Sequence, residues 1–328
     1  IDVSISSTNT STSGYTASTE GKTIKITESI NYAGSTNAAI RVTANNITID
    51  FDGRTLTYTG STSGIHGITI AAGVSNVTIK NGIIKGFTGS GIYAVGTSEN
   101  TIKNATIRNF LITNNQNGVI ADYLVNSKIK ETKTHANSAN STDVYGIKIS
   151  NSSDIILLGC TACTNSSTTQ KCYGIALDTC QDSCIIECSS FSNSGSLETA
   201  GFYVTGGSTF SKFETNNAYS NLSVTDDSHG FLINSTSQLV VEHCKSINNR
   251  VTDGSKKSYG FRLKTGSSCI IQECTAIRNS YGFYDDEASG SYTNILMGNR
   301  GQQNSISDFL RVNAPAFNVV AVTTEFLQ

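Results

Sequence analysis

A glycine followed at once by isoleucine, valine or phenylalanine recurs at Gly67, Gly91, Gly118, Gly146, Gly174, Gly201, Gly230, Gly260 and Gly282, at steps of 22 to 30 residues. The partners of those glycines are Ile68, Ile92, Val119, Ile147, Ile175, Phe202, Phe231, Phe261 and Phe283. Two places further on come Ile70, Ala94, Ala121, Ile149, Leu177, Val204, Ile233, Leu263 and Asp285. Alternation with a period of two is the signature of a strand with one buried face. Repeated once per 28 or so residues, it describes coils rather than hairpins, because tandem antiparallel hairpins do not return to the same position at that spacing.

A second strand in the middle coils supplies Ile129, Leu157, Ile185, Val241 and Ile271. Three residues later stand Thr132, Cys160, Cys188, Cys244 and Cys274, an inward column of small or soft side chains. A third element ends in Asn109, Asn137, Asn165, Asn193, Asn221, Asn249 and Asn279. Asparagine tolerates left-handed backbone at a bend, and its amide can pair with the amide one coil away. These columns predict an all-β chain, a right-handed single-stranded parallel β-helix with three strands per coil and about ten coils. At a strand spacing of roughly 4.8 Å the rod would be about 50 Å long.

The pattern predicts N-terminal strands and a cap over residues 1–60, coils over 61–300, and a C-terminal cap or partner-binding segment over 301–328. The last segment carries the lone Pro315 and apolar residues from Phe317 to Val322. Asp285 falls at an inward position where an unpaired carboxylate is costly, so the regular core is expected to close near it. Raw strand edges at the ends of a rod invite pairing with other chains, which predicts self-association through the rod ends or through the Ser/Thr-rich residues 1–20. Between the asparagine bend and the next glycine the connection ranges from the long stretch 138–144 to almost nothing between Asn279 and Tyr281. Insertions therefore fall on one corner, where solenoids commonly elaborate binding.

Charged residues make up only 15% of the chain and the formal net charge is −2, with no Lys/Arg cluster. That excludes the electrostatic footprint of nucleic-acid binding. No apolar run is long enough to span a bilayer. The chain begins at Ile1 without a leader, which reads as a processed or trimmed product. Nine cysteines beside a Ser/Thr/Asn-rich surface predict an extracellular, secreted or surface- or virion-attached protein. Sequons occur, for example at Asn46, Asn76, Asn104 and Asn151, and are expected by chance in such a composition.

The runs Asn-Val-Thr-Ile-Lys-Asn-Gly-Ile-Ile-Lys-Gly-Phe at 76–87, Asn-Thr-Ile-Lys-Asn-Ala-Thr-Ile-Arg-Asn-Phe at 100–110 and Asn-Ile-Thr-Ile-Asp-Phe-Asp-Gly-Arg-Thr-Leu at 46–56 resemble the pectin-lyase-like right-handed β-helix superfamily, over roughly residues 40–300. The resemblance implies the fold. It leaves function open among polysaccharide lyases and hydrolases, tailspikes, adhesins and surface proteins.

His229-Gly230 followed by Arg262-Leu263-Lys264 is similar to the His-Gly and Arg-x-Lys elements of polygalacturonase-type hydrolases. Those enzymes also need paired carboxylates on neighbouring coils, and the coil before His229 offers none in its strand. Asp285-Asp286-Glu287 is a second acidic group, with Asp286 expected beside Lys264 and Tyr284 beside Arg262; a calcium-dependent lyase would use such acids for the metal and a basic residue as base. The enzymatic alternative, a lyase or glycoside hydrolase acting on acidic polysaccharide, would therefore rest on Asp178, His229, Arg262, Lys264 and Asp286, with Ca2+ as its only cofactor. Glycan binding without catalysis would use Tyr203, Arg262, Lys264 and Tyr284, since aromatic rings stack on sugars. Asn137, Asn165, Asn193, Asn221 and Asn249, with Cys160, Cys188, Cys244 and Cys274, are read as structural columns, the cysteines either as disulfides between coils or as reduced small hydrophobes. The four histidines are scattered and no cysteine pair has finger spacing, so no metal site is expected. Because no acid/base constellation survives, the sequence favours a non-enzymatic structural or adhesive protein, a fibre or filament subunit with glycan-binding capacity and no cofactor.

Overall fold

A computed structural model describes residues 3–6, 12–234, 236–264, 268–286, 294–312 and 319–320. The described chain is a parallel β-solenoid. Every strand pairing is parallel, and successive coils pair in register along the rod. A twelve-stranded front sheet takes one strand from each coil, running from Tyr15–Ala17 through Val144–Ser150 and Cys172–Asp178 to Ser307–Arg311. The second and third strands of each coil, such as Ile156–Leu158 and Thr161–Cys163, belong to a bent 22-stranded sheet. The middle coils add a fourth, two-residue strand, so that Ser138–Ala139, Ser166–Ser167, Ser194–Gly195, Leu222–Ser223 and Arg250–Val251 form a five-stranded corner sheet.

The period-two pattern places its apolar partners inside. Ile147, Ile175, Phe202, Phe231, Phe261 and Phe283 lie in one register column and all are buried. From Phe202 to Phe309 the rings stack with centroids 4.6–5.0 Å apart. Each such side chain withdrawn from water stabilises the coil by about 1.5–3 kcal/mol.

The asparagine column is real, but its first member differs from the sequence expectation. Asn115, not Asn109, heads it, donating from its side-chain amide to Asn137 Oδ1 at 3.1 Å; Asn137, Asn165, Asn193, Asn221 and Asn249 each donate onward at 2.9–3.0 Å. Asn109 is exposed and bonds to Asn81 in a separate surface ladder. The spacing of 28 from Asn109 to Asn137 is thus a coincidence of two ladders. Nor are the buried asparagines themselves left-handed. The positive φ belongs to the residue before each, at Ala136, Thr164, Ser192, Ser220, Asn248 and Arg278. The amide oxygen of each ladder residue also accepts from the backbone N–H of the preceding member, so the buried polar groups are satisfied as a network.

No disulfide joins any of the nine cysteines, and the column packs as small buried thiols. The backbone N–H of Cys160 meets the Cys188 sulfur at 3.4 Å, and Asn216, which sequence reasoning skipped, occupies the next level between Cys188 and Cys244. Buried Asp285 lies beneath Leu263 in its inward column and accepts from Asn294 at 3.0 Å. The ladder does not close there: Tyr281–Asp285 pairs onward with Ser307–Arg311. At the other end Thr23–Ile26 and Ile30–Tyr32 already pair with the coils that follow. Pro315, Glu287, most of the apolar stretch 317–322 and part of residues 1–20 lie outside the described residues.

Loop length at the corner changes in two steps. The ladder asparagine precedes the repeat glycine by three positions at Asn115/Gly118 and again at Asn279/Gly282, but by eight to eleven in the five coils between. The corner sheet exists only where the connection is long, and it therefore has an edge at each step.

Candidate functional site

Most of the candidate residues stand on the outer face of the front sheet, because alternation turns Tyr203, Arg262 and Tyr284 outward while Phe202, Phe261 and Phe283 point in. The register stacks Tyr203, Leu232, Arg262 and Tyr284 in one column, and Tyr173, Ala200, His229, Tyr259 and Tyr281 in another.

Two ion clusters cross this face. In the first, Glu198 receives the Tyr173 hydroxyl at 2.8 Å and lies 3.2 Å from the Lys264 ammonium, 3.5 Å from Lys171 and 3.8 Å from His229 Nε2. Burial opposes ionisation of Glu198, but neighbouring His229, Lys264, the Tyr173 hydroxyl and Lys171 outweigh it and hold its pKa at about 2. His229 is fully buried, and burial, only partly offset by Glu198, lowers its pKa to about 3. It is therefore a neutral ring stacked on Tyr259 at 5.2 Å.

In the second cluster Arg262 is held between Asp227 at 2.7 Å and Asp286 at 2.9 Å, with its guanidinium 4.4 Å above the Tyr259 ring and 5.5 Å from that of Tyr284. Tyr284 is beside Arg262 as expected, whereas the Asp286 carboxylate goes to Arg262 rather than to Lys264. Asp285 and Asp286 point to opposite sides of their strand, one buried among the coils and one toward Arg262, so the pair does not converge on a metal. Among the described residues no group of three or more His, Cys, Asp and Glu is placed to hold one.

Asp178 stands apart. It ends its strand beside Ser150 and Thr205 and accepts from the Thr179 hydroxyl at 3.1 Å. Tyr203 stacks on Tyr173 at 4.5 Å with nearly parallel rings, which covers one of its faces. Tyr173, Ala176, Ala200 and Leu232 are buried on the outside of the sheet, packed with Tyr145 and Tyr203. This part of the face is a second, outer core sealed by ion pairs, not an open groove.

Glu198 was missed by sequence reasoning. The signal that would have found it is the column three residues before the glycine, where Asp143, Lys171, Glu198, Asp227 and Lys257 are all charged. Two of the open concavities lie instead at the steps of the corner, and a third, of about 470 Å³, lies beside Gly53, Asn81, Asn109 and Glu131. Of the corner pair, one of about 410 Å³ is bordered by Thr88, Asn114, Gln116 and residues 138–142. The other, of about 420 Å³, lies beside Arg250, Arg278, Ser258 and Ser305.

Residues 66–224 match the family model described as "Right handed beta helix region". The fold is a right-handed parallel β-helix. The β-helix is similar to the A-module of the Azotobacter vinelandii mannuronan C-5 epimerase AlgE6, at 16% identity with a TM-score of 0.56, covering 99% of this chain and 89% of that one. It is also similar to a mutant of the periplasmic alginate epimerase AlgG, at 14% identity and TM-score 0.60, over 91% of this chain and 76% of that one. A third similar structure is the tailspike protein of the E. coli bacteriophage HK620 in complex with pentasaccharide, at 10% identity and TM-score 0.59, over 93% of the β-helix and 58% of the tailspike chain. At these identities the likeness is one of fold. No curated protein matches the sequence. Among the described residues no helix is long and apolar enough to cross a membrane.

Proposed function

We propose that this β-helix is a surface-exposed or secreted carbohydrate-binding protein, a structural or adhesive component that holds glycans without cleaving them and associates with further copies through the rod ends. The observation that carries the non-catalytic part is the state of His229 and Arg262. A general acid or base must reach the proton it moves, and His229 is wholly buried. Arg262 is neutralised by two carboxylates and stacked on Tyr259, which leaves it little charge to offer a substrate. What supports the carbohydrate part is a fold shared with two alginate epimerases and with a tailspike holding a pentasaccharide, together with polar clefts on the corner where this chain varies its loops.

One observation favours the rival, a polysaccharide lyase or hydrolase: Glu198, Tyr173, Lys264 and His229 meet at one place. The two readings separate on a panel of neutral and acidic polysaccharides, assayed for binding, for reducing-sugar release and for unsaturated-product absorbance, with and without calcium. Binding without turnover is expected. Turnover abolished by Arg262→Ala would overturn the reading.

A further inference from the structure

The corner sheet ends at Arg250–Val251, because the next coil takes its short connection and turns directly from Asn279 into the front sheet. The step leaves a cleft of about 420 Å³, within the size range of small-ligand sites. Two guanidinium groups from adjacent coils border it. Arg250 donates from Nε to Asn248 Oδ1 at 3.2 Å, and Arg278 donates from Nε to Gln303 Oε1 at 3.0 Å. Both Nε bonds go to neutral amide oxygens, which orient each fork without cancelling its charge. No acidic residue lines the cleft, and among the described residues neither arginine has a carboxylate partner. The rest of the wall carries hydroxyls and amides, including Ser258, whose hydroxyl lies 3.2 Å from that of Ser280. Arg262, by contrast, lies between two acids.

We infer that this cleft binds the anionic substituent of an acidic saccharide, a carboxylate or a sulfate ester, between Arg250 and Arg278, with the serine hydroxyls and amides taking the sugar hydroxyls. Planar guanidinium forks match carboxylate and sulfate oxygens two at a time, and two of them border this cleft with no acidic side chain in its lining to compete for them. The matching cleft at the other edge of the corner sheet is lined by neutral side chains only, so it serves as an internal comparison. The inference rests on the carbohydrate-binding reading and narrows it to one ligand class at one place.

The test is calorimetric titration of the full chain with oligogalacturonate, which carries carboxylates, dextran sulfate, which carries sulfates, and unmodified dextran, which carries neither. Binding of either acidic ligand but not of dextran is expected, weakening as salt rises. Arg250→Gln and Arg278→Gln, both exposed positions, should each weaken it by about tenfold or more with the thermal midpoint unchanged. Gln116→Ala in the neutral cleft should leave it as it was. An acidic saccharide bound equally well by both arginine variants would sink the inference while leaving the carbohydrate reading intact. Failure of every saccharide to bind would end both. Charged residues also protect sheet edges from pairing with other chains, so Arg250→Gln protein that aggregates yet binds at full strength would assign the arginines to edge protection and overturn the site.

Discussion

The carboxylate of Glu198 lies 3.2 Å from the ammonium of Lys264, although 66 residues separate them in sequence. They stand two coils apart, so this contact clamps three levels of the rod. Lys264→Ala removes one of the cationic partners of a largely buried carboxylate. Lys171 and the Tyr173 hydroxyl remain, so the loss should be about 1–3 kcal/mol. Denaturant unfolding, with hydrogen exchange to localise the loosening to residues 198–264, measures it; an unchanged stability would show that the clamp is slack.

Acid should unfold the rod through His229 and Glu198. Both have folded pKa values below their ordinary ones, about 3 against 6.5 for His229 and about 2 against 4.5 for Glu198. A group depressed in this way stabilises the fold above its unfolded pKa and loses that contribution as pH falls toward the folded value. Stability is therefore expected to fall from about pH 6.5 downward and more steeply below 4.5. His229→Phe, which stacks on Tyr259 without a proton to gain, should move the acid midpoint to lower pH in a circular-dichroism titration. A midpoint that does not move would place acid sensitivity elsewhere.

The two asparagine ladders should differ in cost. Asn193→Ala strips an acceptor from the buried backbone N–H and side-chain amide of Asn165, and buried groups left unpaired cost about 1–3 kcal/mol each. Asn109→Ala on the exposed ladder should stay within about 0.5 kcal/mol. Thermal unfolding of the two variants side by side makes the comparison.

Thiol labelling should distinguish the cysteines sharply. Eight of the nine are buried and only Cys184 is partly accessible, so one thiol should react quickly in the native protein and all nine after denaturation. Fewer than nine in the denatured, unreduced chain would reveal disulfides.

The sequons at Asn46, Asn76, Asn104 and Asn151 should remain bare in a secretory host. The side-chain nitrogens of Asn46, Asn76, Asn104 and Asn151 already donate to Glu20, Asn46, Asn76 and Asp122 respectively. Peptide mapping of these four sites after such expression should find them unmodified.

The columns that carry one residue type at one position were readable directly. Ile147, Ile175 and Phe202 form an inward file, and Asn137 to Asn249 form a ladder, because a β-helix converts a fixed sequence interval into vertical contact. What was not readable depended on loop path. Asn109 shared the interval of 28 but belonged to another corner, and only the three-dimensional register separates it from Asn115. Glu198 stands at a fixed place before the glycine, but its column varies in sign and type through Asp143, Lys171, Glu198, Asp227 and Lys257, so a scan for one repeated residue type passes over it. Asp286 was assigned to Lys264 by strand register, yet a flexible side chain chooses the nearer guanidinium of Arg262. Side-chain chemistry between columns, unlike the columns themselves, is not periodic.

From Asn137 to Asn249 the ladder advances by an unvarying 28 residues, so each of these levels ends at the height where the next begins. Cutting out or copying such a block joins Asn to Asn, apolar to apolar and corner strand to corner strand with no seam. In repeat architectures stability is carried by neighbour-to-neighbour terms, and here the reach of the molecule is a quantity that gene duplication can adjust in whole increments without inventing a new interior.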